Sequence, residues 1–142
     1  MTDTLDRFLK AQERTYPSAL REIRAGRKES HWMWFIFPQM RGLGMSNMAY
    51  FYGIADRTEA EAYLAHPVLS ARLCEITEAL LALDESDPNV IFGGIDALKL
   101  CSSMTLFAAF SEDGSVFHRA LAKFYGGCAD PKTLELLGDN QK

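Results

Sequence analysis

The chain has 142 residues and a net charge of −4 at pH 7, with 48% hydrophobic and 24% charged residues. This length predicts a single domain over residues 1–142 that buries about two thirds of its unfolded surface. The negative charge argues against a nucleic-acid binder, and no apolar run reaches the roughly 18 residues of a membrane span. The polar N-terminus lacks the features of a signal peptide, so we expect a cytoplasmic protein that contacts no membrane.

Basic residues are concentrated in the first third of the chain. Residues 1–41 carry eight Lys or Arg against five Asp or Glu, whereas the remainder carries seven against fourteen. A basic segment that leads into aromatic residues suits a small phosphate-bearing ligand. A solvated helix face explains the same pattern and is the simpler interpretation.

The cysteines and histidines follow no disulfide or metal-binding pattern. Cys74, Cys101 and Cys128 are spaced 27 residues apart, but their flanking residues differ, so the spacing indicates no repeat. An odd number of cysteines without a CxxC motif argues against a disulfide framework, and we expect reduced, structural thiols. The three histidines lack the spacing of metal ligands, so we expect neither a metal nor a cofactor.

Apolar residues recur at helical spacing along most of the chain. The pattern predicts helices at 4–15, 17–25, 31–37, 47–52, 58–65, 67–83, 95–110, 115–124 and 132–137, with a short helix or loop at 90–94. In the helix at 95–110, Leu98 and Phe107 are predicted to face inward. We therefore expect an all-α fold, a single compact domain of seven to nine helices.

Capping residues and helix breakers set these boundaries. The predicted N-caps are Thr4, Ser30, Ser46 or Asn47, Thr58 and Ser115. Pro17 is expected to begin the second helix, because proline fits the first helical turn. For residues 31–37 a buried strand is the alternative, since aromatic residues favour strands, but no partner strand with alternating apolar residues occurs elsewhere.

Residues 30–46 contain both tryptophans and the best candidates for catalysis. His31 is the candidate general acid–base, because imidazole titrates near neutral pH. Trp32 and Trp34 are candidates to stack a planar base. The alternative is a histidine that simply starts a helix, beside aromatic residues that fill the core.

The loop that follows is a candidate phosphate site. It contains the polar and small residues Gln39, Arg41, Gly42, Gly44 and Ser46. Backbone N–H groups in a glycine-containing loop bind phosphate well, and Arg41 and the next helix N-terminus would add positive charge. The loop matches neither of the common phosphate-binding fingerprints, and a simple turn explains the glycines equally well.

A second polar cluster is predicted on the helix at 95–110. Asp96, Lys99 and Ser103 share one face, which therefore carries an acid, a base and a hydroxyl. Asp96 and Lys99 are candidates for proton transfer, and Ser103 is a candidate substrate contact. A surface ion pair and ordinary helix packing are the alternatives.

Five stretches of the sequence resemble the DUF1810 family. They are residues 7–12 (RFLKAQ), 30–39 (SHWMWFIFPQ), 42–44 (GLG), 63–69 (YLAHPVL) and 96–107 (DALKLCSSMTLF). The resemblance covers nearly the whole chain and implies a helical protein of unknown function. Members of this family sometimes carry the label calpastatin. This chain does not support that label, because a calpain inhibitor would be long and disordered.

The aromatic-rich segment and the late lysine-containing helix are also distantly similar to the NADAR (YbiA-like) group. That group acts on ADP-ribose-related or phosphoribosyl N-glycosides, but the similarity transfers no catalytic residue. One hypothesis is thus a hydrolase or N-glycosidase acting on a nucleotide or ADP-ribose-like molecule, with His31, Asp96 and Lys99 catalytic. The alternative is a non-catalytic module that binds a small phosphorylated ligand or a protein partner. The oligomeric state stays open.

Overall fold

The computed structural model of the protein describes residues 4–138, which form nine α-helices. They are α1 (Asp6–Arg24), α2 (Met33–Ile36), α3 (Asn47–Tyr52), α4 (Arg57–Ala65), α5 (Pro67–Leu81), α6 (Pro88–Phe92), α7 (Gly94–Ala108), α8 (Val116–Tyr125) and α9 (Pro131–Gly138). Residues 4–138 contain no named strand, so the prediction of a single all-α domain is confirmed. None of the described helices has the length and apolar character needed to cross a bilayer.

The first helix differs from the prediction, because α1 runs without a break through Pro17. The sequence predicted two helices here, and an interior proline costs a helix about 3 kcal/mol. Both halves of α1 are anchored to the same core by one buried stripe, Phe8, Gln12, Tyr16, Ala19 and Ile23. The stripe packs on α2 and α5, and this burial outweighs the local cost of the proline.

The short helix α2 is shorter than the predicted helix over 31–37 and begins after Trp32 rather than after Ser30. Met33, Phe35 and Ile36 are buried, which confirms that this aromatic segment belongs to the core. After α2, residues 40–54 form a loop that contains α3 and is closed at its two ends, called the closed loop below. Ile54 closes the loop by donating its N–H to the Gln39 carbonyl at 2.9 Å and accepting from the Arg41 N–H at 2.9 Å.

Of the five predicted N-caps, two are confirmed and three are wrong. The N-cap of α1 is Leu5 rather than Thr4, and that of α2 is Trp32 rather than Ser30. The Ser46 and Ser115 side chains cap α3 and α8 as expected. For α4, the cap is Asp56 rather than Thr58, and its carboxylate accepts the Glu59 N–H at 2.9 Å. The Glu59 carboxylate in turn accepts the N–H of Ala55 at 2.8 Å. Asp56 and Glu59 therefore both cap the start of α4, and the N-cap lies two residues before the predicted one.

The central helix is α7, which packs against α4, α6, α8 and α9. Its first turns lie at the surface, whereas every residue from 102 to 108 is buried. Leu98 was predicted to face inward, but its side chain is 71% exposed, as is Ile95 at 74%. The exposed beginning of α7 therefore presents apolar side chains to solvent, next to the closed loop around α3.

Gly53, in the closed loop, lies very close to the backbone of neighbouring residues. A Cβ atom at Gly53 would lie 2.7 Å from the Arg41 Cα and 2.9 Å from the Ala49 carbonyl oxygen, both backbone atoms. We expect Gly53→Ala to lower the free energy of unfolding by about 2 kcal/mol, because backbone atoms must shift to accept the methyl group. Chemical denaturation measures this loss.

The matched control is Gly94→Ala. A Cβ atom at Gly94, the first residue of α7, meets nothing within 4 Å. This variant should unfold at the wild-type denaturant concentration or slightly above it, because alanine favours the helix. Equal stability of the two variants would contradict the close approach at Gly53.

Candidate functional site

An open cleft of about 470 Å³ lies between residues 39–49 and the exposed beginning of α7. It is lined by Gln39, Leu43, Gly44, Met45, Ser46, Ala49, Ile95, Leu98, Lys99, Ser102, Asp130 and Lys132. The volume falls in the range of roughly 300–1,000 Å³ that is typical of small-molecule sites. The two segments that the sequence singled out, residues 30–46 and 96–105, therefore do contact each other at this cleft.

Four of the predicted site residues line the cleft: Gln39, Gly44, Ser46 and Lys99. Gly44 lets the chain pass close to α3, because a Cβ atom there would lie 2.6 Å from the Cβ of Ala49. The Ser46 hydroxyl accepts the Ala49 N–H at 3.0 Å and so fixes the start of α3. Local packing and capping thus explain both residues, independently of any ligand.

Lys99 belongs to a cluster of two lysines around one carboxylate. Its Nζ lies 3.6 Å from Oδ1 of Asp96, while Nζ of Lys28 lies 2.9 Å from Oδ2. The Lys99 ammonium also lies 5.2 Å from the centre of the Trp34 ring, a cation–π contact. Two positive groups share one negative group, so the cluster of Lys28, Asp96 and Lys99 carries one net positive charge, and Lys99 is its member that lines the cleft.

Trp34 is half-buried and lies next to the cleft rather than in it. It lines a small neighbouring pocket of about 10 Å³, the size of a single water molecule, together with Gln39 and Lys99. Gln39 and Lys99 line the cleft on their other side. Trp34 therefore adjoins the cleft through residues that line both spaces, close enough to sense a ligand there.

Trp32 is placed in the core, which departs from its predicted role in stacking a ligand. The side chain has no exposed surface, and its ring packs against Phe37 and Phe92. Its indole N–H donates to Oε1 of Glu22 at 2.9 Å. Because the ring is enclosed and its polar group is satisfied, Trp32 has no face open to a ligand.

His31 is exposed and does not line the cleft, although the sequence proposed it as the general acid–base. It lies in the short turn between α1 and α2. Asp96 is also outside the cleft, where both carboxylate oxygens face lysines. Of the three candidate catalytic residues, only Lys99 therefore lines the cleft. Within residues 4–138, no group of three or more His, Cys, Asp or Glu side chains is placed to bind a metal.

The glycine-containing loop is divided between two surfaces. Arg41 donates from Nε to the Tyr50 carbonyl at 2.9 Å and stacks on the Tyr50 ring at 4.4 Å. It lines a separate groove with Arg7 and Phe51, and Gly44 does not line that groove. Gly42 has a φ of +105°, so it serves a turn that other residues adopt with strain. Arg41 is thus not placed beside the cleft.

Ser103 is fully buried, which separates it from Asp96 and Lys99 despite their shared helix face. Its hydroxyl oxygen has no hydrogen-bond partner among the described residues. The reason is that α7 enters the core after its second turn, so one helix face is exposed at Lys99 and covered at Ser103.

Several cleft residues were not predicted from the sequence. Leu98 was assigned to packing, since apolar helix residues usually face inward, and Ile95 was not singled out. Asp130 and Lys132 lie at the beginning of α9, which is close to the other cleft residues only in the folded chain. Oδ2 of Asp130 accepts bonds from the Ser102 hydroxyl at 3.1 Å and the Thr133 hydroxyl at 2.6 Å.

Comparison with known proteins gives a family and one solved structure. The family model described as a protein of unknown function (DUF1810) matches residues 2–137. The chain is also similar to the crystal structure of the conserved hypothetical protein Rv1873 from Mycobacterium tuberculosis, with 50% identity and a TM-score of 0.92. That match covers 94% of this chain and 96% of the other. No curated protein matches.

Glu22 holds the segment that leads into α2, and this role predicts a pH dependence. Burial acts to raise its pKa, but hydrogen bonds from the Ser30 hydroxyl, from the backbone N–H groups of Glu29 and Ser30 and from Trp32 outweigh it, lowering the pKa from 4.5 to about 2. A lowered folded-state pKa means that the carboxylate stabilises the fold above pH 4.5 and loses this effect as the pH falls towards 2.

We therefore expect Glu22→Gln to lower the melting temperature at pH 7 and to have a much smaller effect at pH 3. Thermal denaturation followed by circular dichroism gives both values. The control is Glu13→Gln, an exposed position on the same helix α1, which should leave the melting temperature unchanged at both pH values. A loss of stability in Glu22→Gln that is the same at pH 3 and pH 7 would exclude this role.

Proposed function

The chain belongs to the DUF1810 family of proteins of unknown function, and we propose that it binds a small phosphorylated, nucleotide-like ligand in the cleft beside α7. The observation that carries the proposal is the lining of this cleft. Two lysine side chains, Lys99 and Lys132, lie there beside the exposed apolar residues Ile95 and Leu98.

The charges of the cleft favour an anionic ligand, although the whole chain has a net charge of −4. Lys99 and Lys132 contribute two positive charges, and Asp130 contributes one negative charge. Oδ2 of Asp130 is already occupied, since it accepts from the Ser102 and Thr133 hydroxyls. A phosphate between the two ammonium groups would form charge-assisted hydrogen bonds, which are roughly twice as strong as neutral ones.

The apolar side of the cleft favours a ligand that also carries a flat, weakly polar group. Ile95 is 74% and Met45 is 98% exposed, on opposite sides of the cleft. A nucleobase laid between such side chains would bury apolar surface at roughly 25 cal/mol per Å². The combination of apolar walls and cations is the reason for preferring a nucleotide-like ligand to inorganic phosphate.

The proposal is tested by titrating the protein with AMP, ADP-ribose, NAD and ribose 5-phosphate. Trp34 contacts Lys99 at the cleft, so a bound ligand should change the intrinsic fluorescence in a saturable way. Isothermal calorimetry measures the same affinities without depending on the reporter. We expect Lys99→Met and Lys132→Met each to weaken binding about tenfold, because each removes one charged hydrogen bond.

The matched control is Lys10→Met, which removes the same charge from an exposed position on α1, outside the cleft. It should bind with wild-type affinity. Trp34→Phe should retain binding in calorimetry while losing most of the fluorescence change. The proposal fails if calorimetry detects no binding of any of the four compounds, or if both cleft lysines can be removed without weakening it.

A hydrolase acting on nucleotide N-glycosides is a second candidate, and one observation favours it. Asp130 lines the same cleft as Lys99, and its Oδ1 accepts no hydrogen bond from the described residues. A carboxylate near a glycosidic carbon stabilises the positive charge that develops there during hydrolysis. The distant resemblance to the NADAR group supports the same chemistry. His31 has no part in this candidate, because it lies outside the cleft.

Catalysis and binding are separated by Asp130→Asn. The asparagine retains an oxygen that can accept from Thr133 at the start of α9, so the fold should persist. If the protein hydrolyses ADP-ribose or NAD, this variant should lose at least about a hundredfold in kcat and retain most of its affinity. Chromatographic detection of the released base measures turnover. If the wild-type protein binds these compounds without hydrolysing them, the hydrolase candidate fails and only the binding function remains.

A further inference from the structure

The turn between α8 and α9 brings two free cysteines together at the side of α7. Sγ of Cys101, on α7, lies 3.8 Å from the carbonyl oxygen of Cys128, in the turn. A carbonyl oxygen lies roughly 2.4 Å from the Cα atom of its residue, so this sulfur is within about 6 Å of the Cys128 Cα. A disulfide needs Cβ atoms roughly 3.5–4.5 Å apart, so a shift of the turn would set this spacing and rotation about the Cα–Cβ bonds would then bring the two sulfurs together.

The turn is fixed to α7 on both sides of Cys101. Before it along the helix, the Ala97 carbonyl accepts the hydroxyl of Tyr125. After it, the Thr105 hydroxyl accepts the backbone N–H of Asp130 at 2.8 Å. These two bonds are one helical turn to either side of Cys101, so they keep Cys128 beside it.

The two thiols differ in exposure, so a peroxide in solvent has readier access to Cys128 than to Cys101. Cys128 is exposed, whereas Cys101 is half-buried. Burial raises the pKa of the Cys101 thiol, and the nearby Asp130 and Cys128 groups raise it further against a hydrogen bond with Thr105. The influence of Cys128 on that pKa is a second indication that the two side chains are close.

We propose that Cys101 and Cys128 form an oxidation-sensitive pair, which a peroxide converts into an intramolecular disulfide. The thiolate of Cys128 attacks a peroxide oxygen, so that an S–O bond forms, the O–O bond breaks, and water leaves after protonation. The sulfur of Cys101 then attacks the sulfenic acid of Cys128, forming the S–S bond and releasing a second water. Two thiols are oxidised and one hydrogen peroxide is reduced to two waters.

The pair lies directly behind one wall of the cleft. Ser102 follows Cys101 and lines the cleft, as does Asp130, two residues after Cys128. A disulfide would connect these two parts of the wall covalently. The proposal does not depend on the ligand of the cleft, because it concerns only the chemistry of the two thiols.

The experiment treats the native, reduced wild-type protein with hydrogen peroxide, followed by thiol titration and peptide mass spectrometry under non-reducing conditions. We expect two of the three thiols to disappear and the peptides of Cys101 and Cys128 to be joined, lighter by two hydrogen atoms. Dithiothreitol should restore both thiols. The cross-link closes a long loop of the unfolded chain, so oxidation should also raise the melting temperature.

Three variants serve as controls. Cys74→Ser removes the exposed cysteine of α5 and should lose both remaining thiols as the wild type does. Cys101→Ser should form no intramolecular bond and instead accumulate a Cys128 sulfenic acid that dimedone traps. Cys128→Ser should form neither the intramolecular disulfide nor a sulfenic acid that dimedone traps.

Three outcomes would overturn the proposal: thiols that all survive peroxide, a disulfide that includes Cys74 or joins two chains, or a Cys101–Cys128 bond that forms only in denaturant. A lowered melting temperature after oxidation would likewise contradict the geometry. The wild-type result stands even if a serine variant fails to fold.

Discussion

One buried amide, Gln12, holds four helices of this protein together. Its Nε2 donates to the Phe35 carbonyl of α2 at 2.7 Å and to the Tyr63 hydroxyl of α4 at 3.1 Å. Its Oε1 accepts from Arg72 of α5 at 3.3 Å. A helix as short as α2 cannot satisfy its own last carbonyls, and a buried carbonyl without a partner is costly. The position of α2, and of Gln39 just after it, therefore depends on a polar residue in α1.

The order and type of the helices were readable from the sequence because they follow from local spacing and local caps. Ser46 and Ser115 show this, since each side chain hydrogen-bonds a backbone group three residues away. Pro17 shows where local rules fail. Its effect on α1 is decided by the burial of residues on both sides against α2 and α5, and a local pattern contains no information about those contacts.

Only part of the site was predictable from the sequence. Gln39 and Lys99 came from segments that the sequence marked as unusual, and the fold brings them to one cleft. Leu98 was misassigned because helical spacing cannot tell an apolar residue in the core from one beside a cleft. The burial of Trp32 depends on its bond to Glu22, ten residues earlier, and no motif signals that bond.

The charge arrangement beside the cleft suits the proposed binding of an anion. Asp96 has an ammonium group at each of its oxygens, so its charge is already paired with lysines. The same pairing, with the Trp34 ring, holds Lys99 in place before any ligand arrives. A cation that is already positioned loses little side-chain entropy when it binds an anion. For the proposed anionic ligand, the cluster would therefore supply a charge that is already positioned, in a protein whose overall charge is negative.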